Sequence, residues 1–217
     1  MAYKAVIFDL DGTLLDTIGD ITDALNDALK EIGIPLAYKK EEVHKFIGSG
    51  AATLMHRALG SYDSEANFLK LKEAYMPRYE EYQTRHTKAY PGIKKLLKAM
   101  KKQRIHLFVS TNKPHKLARE IIDSRFGYDV FMEVKGQMPG GPVKPDPAIA
   151  NYFLLKYSLN KKDVIFIGDS KTDLETAKNA EVNSCLVTWG YGEYDWTVTS
   201  QATFVVNSAE EIAAIVL

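Results

Sequence analysis

The chain has 217 residues, 46% hydrophobic and 26% charged, the proportions of a globular protein with a sizeable core, not of a disordered or fibrous chain. Its 28 Lys and Arg balance 28 Asp and Glu, so no global basic field draws it to nucleic acid or to a membrane surface, and partners must be recognised locally. At this length one full domain plus a subdomain is expected.

In chain order, the first apolar run, Ala5 to Phe8, reads as a buried strand, and Asp9 and Asp11 leave its C-terminal end in Phe8-Asp9-Leu10-Asp11-Gly12-Thr13. Residues 17–87 hold no convincing strand. Ile18, Ile21, Leu25, Ala28, Leu29 and Ile32 recur at helical spacing, with Asp16 or Thr17 as a helix N-cap and Gly33 as its stop, so this stretch reads as an all-helical insertion. Within it, Lys45, His56 and Arg57 are candidates to meet a substrate carboxylate, against plain surface placement. Pro91 and Gly92 mark the return. Ile93, Leu96, Leu97 and Met100 then form one helix face, and Lys94, Lys95, Lys98, Lys101, Lys102 and Arg104 read as its solvated side.

Strands are next expected at Ile105 to Val109, Val130 to Val134, Val164 to Ile167, Cys185 to Val187 and Phe204 to Val206, separated by helical segments at 115–125, 146–157, 171–181 and 208–216. Alternating strands and helices predict a Rossmann-like, three-layer α/β core with a mostly parallel sheet. The core takes residues 1–16 and 88–217, and the helical insertion takes 17–87. Cys185, the single cysteine, sits in an apolar run and reads as a small buried hydrophobe. No apolar stretch approaches the ~18 residues that cross a bilayer, and the first apolar run, ended by Asp9 and Asp11, lacks a signal-peptide pattern. A reducing, cytoplasmic home is expected, and oligomeric state is left open.

The chemistry is written at the strand ends. Asp9 and Asp11 follow the first strand, Ser110, Thr111 and Asn112 the second, Lys144 lies in a Pro/Gly-rich loop after the third, and Gly168-Asp169-Ser170 with Asp173 follow the fourth. Open α/β sheets bind ligands at this edge. Carboxylates brought close together are costly unless a hard divalent cation neutralises them, and oxygen-only ligation favours Mg2+. A lysine and a threonine hydroxyl suit a phosphate dianion, so the set assembles a phosphoryl-transfer centre. Asp11-Gly12 alone would equally make a turn, and for Asp173 the competing reading is stabilisation of a helix N-terminus. The five histidines show no metal-ligand spacing, and no P-loop or nucleophile-elbow motif is present.

Asp9-Leu10-Asp11-Gly12-Thr13, Thr111, Lys144-Pro145 and Gly168-Asp169-Ser170-Lys171-Thr172-Asp173 resemble the four ordered motifs of the haloacid dehalogenase superfamily. The helical insertion resembles that superfamily's first type of cap. Thr111-Asn112-Lys113-Pro114 and Val187-Thr188-Trp189-Gly190-Tyr191-Gly192 are similar to its phosphoglycolate phosphatase branch. The resemblance implies a phosphatase of a small phosphorylated metabolite, with 2-phosphoglycolate the leading candidate. It implies Asp9 as nucleophile, Asp11 as general acid and base, and Thr111 with the Asn112 backbone and Lys144 as phosphate-binding groups. Asp9, the Asp11 carbonyl and Asp169 would bind Mg2+, with Asp173 orienting the surroundings. Asp11 favours a phosphatase over a dehalogenase, because ester cleavage needs a leaving-group acid. A sugar-phosphate mutase is the alternative, weakened because Gly48-Ser49-Gly50-Ala51 lacks an arginine for a second phosphate. A phospho-acceptor domain or a catalytically silent binding scaffold is a further alternative, and the helical insertion and the complete motif set argue against both. One departure stands at Glu181, where relatives often have Gly at the turn.

Overall fold

The computed structural model describes residues 3–217; Met1 and Ala2, which the sequence assigns to the α/β part, lie outside them. In chain order the elements are β1 (Ala5–Phe8), β2 (Leu15–Asp16), α1 (Ile18–Glu31), α2 (Lys40–Val43), α3 (Ala51–Leu59), α4 (Glu65–Tyr82), β3 (Lys88–Ala89), α5 (Ile93–Lys102) and β4 (His106–Pro114). There follow α6 (His115–Phe126), β5 (Glu133–Gln137), α7 (Ala148–Lys156), β6 (Val164–Gly168), α8 (Lys171–Ala180), β7 (Asn183–Val187), α9 (Trp196–Thr199), β8 (Phe204–Val206) and α10 (Ala209–Val216).

Six strands form one parallel sheet in the order β5-β4-β1-β6-β7-β8. The chain builds outward from β1 to β5, then returns to β6 on the other side of β1. That reversal opens a crevice beyond the C-terminal end of β1. The unbroken apolar run in β1 is explained by burial on both faces: Val6 and Phe8 join the core under α5, α6 and α10, whereas Ala5 and Ile7 join the core under α7 and α8. The six cationic side chains of α5 and the residues just after it are exposed, as its amphipathic spacing predicts. Cys185 is buried, and burial pushes its thiol up to about 12, which leaves it inert.

Two strands differ from expectation by more than two residues. The strand expected to end at Val109 continues to Pro114, with a register shift against β5 between Ser110 and Pro114. The strand expected at Val130 to Val134 runs instead over Glu133–Gln137. Phe131 is an apolar core residue that packs from the approaching loop. The strand proper lies at the sheet edge, alternates buried and half-buried positions, and is too polar to announce itself as an apolar run.

The helices α1 to α4 pack around their own apolar cluster, including Leu25, Leu29, Met55, Leu71 and Tyr75, with Leu117 of α6 reaching into it. Both chain connections to this cluster are clamped together, because β2 and β3 pair antiparallel through Leu15–Ala89 and Asp16–Lys88. The fully buried Asp20 of α1 reinforces the clamp by accepting backbone N–H bonds from His86 (2.7 Å) and Thr87 (3.0 Å). Among the described residues no helix is long and apolar enough to cross a membrane.

Candidate active site

Asp9 is the first residue beyond β1, and its backbone N–H donates to the Ile167 carbonyl of β6 at 2.9 Å. The chain then turns tightly, with the Leu10 carbonyl accepting from Leu14 and Leu15, each at 3.0 Å. Gly12 has φ +86°, and a Cβ there would collide with the Asp169 carboxylate, so glycine is required both by conformation and by space. The turn brings the β1 and β6 ends into one cluster. Thr13 Oγ1 donates to Asp169 Oδ1 (3.1 Å), and the Tyr191 backbone N–H donates to Asp169 Oδ2 (2.6 Å).

Lys144 is the hub of the site. Its Nζ lies 2.7 Å from Asp9 Oδ1 and 2.6 Å from Asp173 Oδ1, with all three side chains at 10% exposure or less. The other Asp173 oxygen accepts from the Ser170 N–H (3.1 Å) and hydroxyl (2.7 Å), so Asp173 closes the N-terminus of α8 while holding Lys144. One side chain thus caps α8 and contacts Lys144. The Lys144 peptide is held in turn by Asn112, whose Oδ1 accepts from the Lys144 N–H (2.7 Å) and whose Nδ2 donates to the Lys144 carbonyl (3.2 Å). The same Nδ2 reaches the Gly48 carbonyl, 3.1 Å away in the helical part.

Burial pushes the Asp9 carboxyl up to about 6; the Lys144 ammonium opposes that rise and the Asp173 charge adds to it. Burial, then Asp173 and Asp9, hold the Asp169 carboxyl well above the ordinary carboxylate range. Burial also works against the Lys144 ammonium, but Asp173 and Asp9 outweigh it and keep its pKa above the usual lysine value. One lysine thus does not neutralise the cluster. Asp9, Asp169 and Asp173 each offer an oxygen within 4.8 Å of the others, a buried all-oxygen donor set with unbalanced negative charge, which fits a hard divalent cation. The Asp11 carboxylate lies apart from that set.

Asp11 instead faces Lys113, whose Nζ is 3.0 Å from Oδ1 and 3.4 Å from Oδ2. Thr111 lies beside it, buried, its Oγ1 accepting from the Lys113 N–H at 3.3 Å. Asp9, Asp11, Thr111, Asn112, Lys113 and Asp169 line one side of a cavity of about 60 Å³. The other side belongs to the helical part, notably Ile21, Gly48, Leu54, Tyr75 and Tyr79. Lys45, His56 and Arg57, the cationic candidates there, are exposed and outside the lining; His56 pairs with Asp63, and Arg57 donates to the Lys45 and Phe46 carbonyls. Sequence reasoning missed Lys113, Tyr79 and Tyr191 as site residues. Lys113 stood in a quoted motif, but nothing in a regular strand alternation turns Thr111, Asn112 and Lys113 inward together. The register shift in β4 does so.

Residues 6–187 match the family model described as Haloacid dehalogenase-like hydrolase. A Phosphoglycolate phosphatase of Vibrio parahaemolyticus is 32% identical, over 98% of this chain and 96% of that protein. Phosphoglycolate phosphatase 1 of Pseudomonas aeruginosa is also 32% identical, over 96% of this chain and 78% of that one. The crystal structure of a predicted phosphoglycolate phosphatase from Haemophilus somnus superposes with a TM-score of 0.91 at 30% identity, covering 99% of this chain and 98% of that chain.

Proposed function

The chain belongs to the haloacid dehalogenase-like hydrolases and is a phosphatase of that family, and from that premise we propose that it is a Mg2+-dependent phosphomonoesterase that cleaves 2-phosphoglycolate through an aspartyl-phosphate on Asp9. The observation that carries the mechanism is the pairing of Asp9 with Lys144 at 2.7 Å at the end of β1, with Asp11 two residues on lining the same cavity. Lys144 orients the Asp9 carboxylate for in-line attack and meets the charge gathering on the phosphoryl oxygens, with Thr111 and the Asn112 backbone holding those oxygens. As the Asp9 Oδ–P bond forms and the ester O–P bond breaks, Asp11 passes a proton to the leaving alkoxide. Asp11 then takes a proton from the water that attacks phosphorus, which frees inorganic phosphate and restores the Asp9 carboxylate. Asp9, Asp169 and the Asp11 carbonyl would hold Mg2+, which when bound supplies Lewis-acid neutralisation of the phosphoryl charge.

Residues 17–87 serve as the cap over a core of 1–16 and 88–217, and its closure excludes bulk water from the phosphoenzyme. The absence of arginine from the described residues lining the cavity supports hydrolysis over mutase chemistry, which needs a grip on a second phosphate. The substrate assignment leans on the two curated relatives, each covered over most of its length. A cytoplasmic location completes the reading, since the lone, buried Cys185 calls for no oxidising compartment.

Phosphate release from a panel of small phosphate esters tests it, with Mg2+, with chelator, and with Asp9→Asn as blank. A metal-dependent preference for 2-phosphoglycolate is the expected outcome. Equal release by the Asp9→Asn protein would overturn the nucleophile assignment.

A further inference from the structure

Lys113 is buried more deeply than the carboxylate it faces, its side chain 2% exposed against 14% for Asp11. Its ammonium donates to Asp11 and to the Tyr79 hydroxyl oxygen, and lies 4.4 Å from the centroid of the Tyr79 ring. An ammonium has three protons; with one shared between the two Asp11 oxygens, at 3.0 and 3.4 Å, and one on Tyr79, the third is left for a ligand. Lys113 is also the only cation among the described residues lining the cavity; Lys144 lies behind Asp9, in contact with it and with Asp173. The proposed roles put Lys113, beside Asp11, on the leaving-group side, and Thr111, with Lys144 acting from behind Asp9, on the phosphoryl side. Burying a lysine is expensive, and a single partly exposed carboxylate repays it only in part. A second anion arriving with the substrate would complete the balance.

We propose that Lys113 and the Tyr79 hydroxyl form a subsite for a carboxylate on the leaving alcohol, so that this enzyme selects phosphorylated short hydroxy acids over neutral phosphate esters. The inference rests on the phosphatase reading and specifies its substrate class. Two donors in the wall, one ammonium proton and the Tyr79 O–H, match the two oxygens of a carboxylate. Burial keeps the Tyr79 hydroxyl protonated, and accepting from Lys113 makes it the stronger donor. A second phosphate would present three oxygens and more charge to a single lysine. The cavity, about 60 Å³, is small and suits a short ligand.

The test is binding, by calorimetry with Mg2+ present, of two phosphonates that cannot be hydrolysed and differ only at the far end: 3-phosphonopropionate, a carboxylate, and 3-hydroxypropylphosphonate, an alcohol. The wild-type protein should prefer the acid by about 10- to 100-fold, the range of a charge-assisted hydrogen bond. Lys113→Met should lower affinity for the acid far more than for the alcohol and bring the ratio below about threefold, and Tyr79→Phe should lower the ratio part of the way. If Lys113→Met fails to fold because Asp11 is left unpaired, Asp11→Asn/Lys113→Met removes both charges and should show the same collapse. Equal wild-type affinity for the two ligands, or an equal loss for both in the variant as expected of a merely structural counter-ion, overturns the proposal. Wild-type release of phosphate from 2-hydroxyethyl phosphate without any acid preference would overturn the subsite and leave the phosphatase standing. A retained acid preference without phosphate release from any ester would sink the phosphatase reading alone.

Discussion

Asp9, proposed as the nucleophile, meets opposing demands, because that role needs an ionised carboxylate and Asp9 is buried among other carboxylates. Its folded pKa of about 6 lies above the unfolded value near 3.8, so the folded chain binds the proton more tightly. Ionising Asp9 therefore weakens the fold above about pH 6, and that weakening disappears as pH falls toward 4. Without divalent cation, Asp9→Asn should raise stability near pH 8 by about 1–3 kcal/mol, a rise of roughly 2–10 °C in the thermal midpoint for a chain of this size. The gain should shrink as pH falls through 6 toward 4. A variant less stable than wild type near pH 8 by scanning calorimetry would show that the Lys144 pairing outweighs burial. Of the candidate-site residues, Asp9, Asp11, Lys144 and Asp169 were legible because each follows a strand in a short fixed motif. Tyr79 was not, because it comes from the middle of α4 and meets Lys113 only through tertiary packing.

Two elements carry strain or tension that the sequence marks unevenly. Glu181, at the C-terminal cap of α8, has φ +58° in the left-handed region that favours glycine. The departure noted in the sequence thus leaves the turn intact with a strained residue in it. Its pairing with Lys161 joins two exposed side chains and offsets little. Glu181→Gly should stabilise the protein by about 1 kcal/mol, seen as a thermal midpoint roughly 2–4 °C higher, with activity unchanged. At the other end of the molecule, α1 lacks the side-chain cap expected from Thr17. Asp16 makes one bond to the Ile18 N–H at 3.3 Å, but the stronger acceptor is Tyr191, whose hydroxyl takes the N–H groups of Thr17 (2.6 Å) and Ile18 (3.0 Å) and donates to Asp16 (2.9 Å). Tyr191 also holds Asp169 through its backbone, so one residue ties the α1 entry to the candidate metal-binding carboxylate. Tyr191→Phe should cost about 1–3 kcal/mol of stability, measured by urea unfolding, because it strands the Thr17 amide at a helix start and leaves the Ile18 amide only the longer bond to Asp16. An unchanged midpoint would mean that water or Asp16 replaces the hydroxyl. No sequence pattern linked positions 17 and 191, since the contact exists only after β7 docks beside β6. The two-residue strands β2 and β3 escaped notice for a simpler reason: they are too short to show any periodicity.

At the scale of the molecule, the sheet order places the β1 end at its reversal point, and the helical part closes over it from across the β2–β3 clamp. The alternation of apolar runs and amphipathic helices made the parallel sheet and the helical insertion readable. The face the insertion turns toward the site was not readable, because Ile21, Leu54, Tyr75 and Tyr79 look like ordinary core positions. In this arrangement the cavity, about 60 Å³, is small for a sugar ring. Hexose phosphates should accordingly be turned over with a kcat/KM at least about 100-fold below that for 2-phosphoglycolate, a difference of ~3 kcal/mol in transition-state binding. Comparable values would mean that the cap opens widely during turnover. The most direct measurement is to quench the enzyme in acid during turnover of 2-phosphoglycolate with Mg2+ and map the adduct by peptide mass. A hydroxylamine-labile phosphoryl group on the peptide carrying Asp9, absent from Asp9→Asn, is the expected result. Continued phosphate release with Asp9 never labelled, or release undiminished in Asp9→Asn, would contradict the assignment of Asp9 as the phosphoryl acceptor.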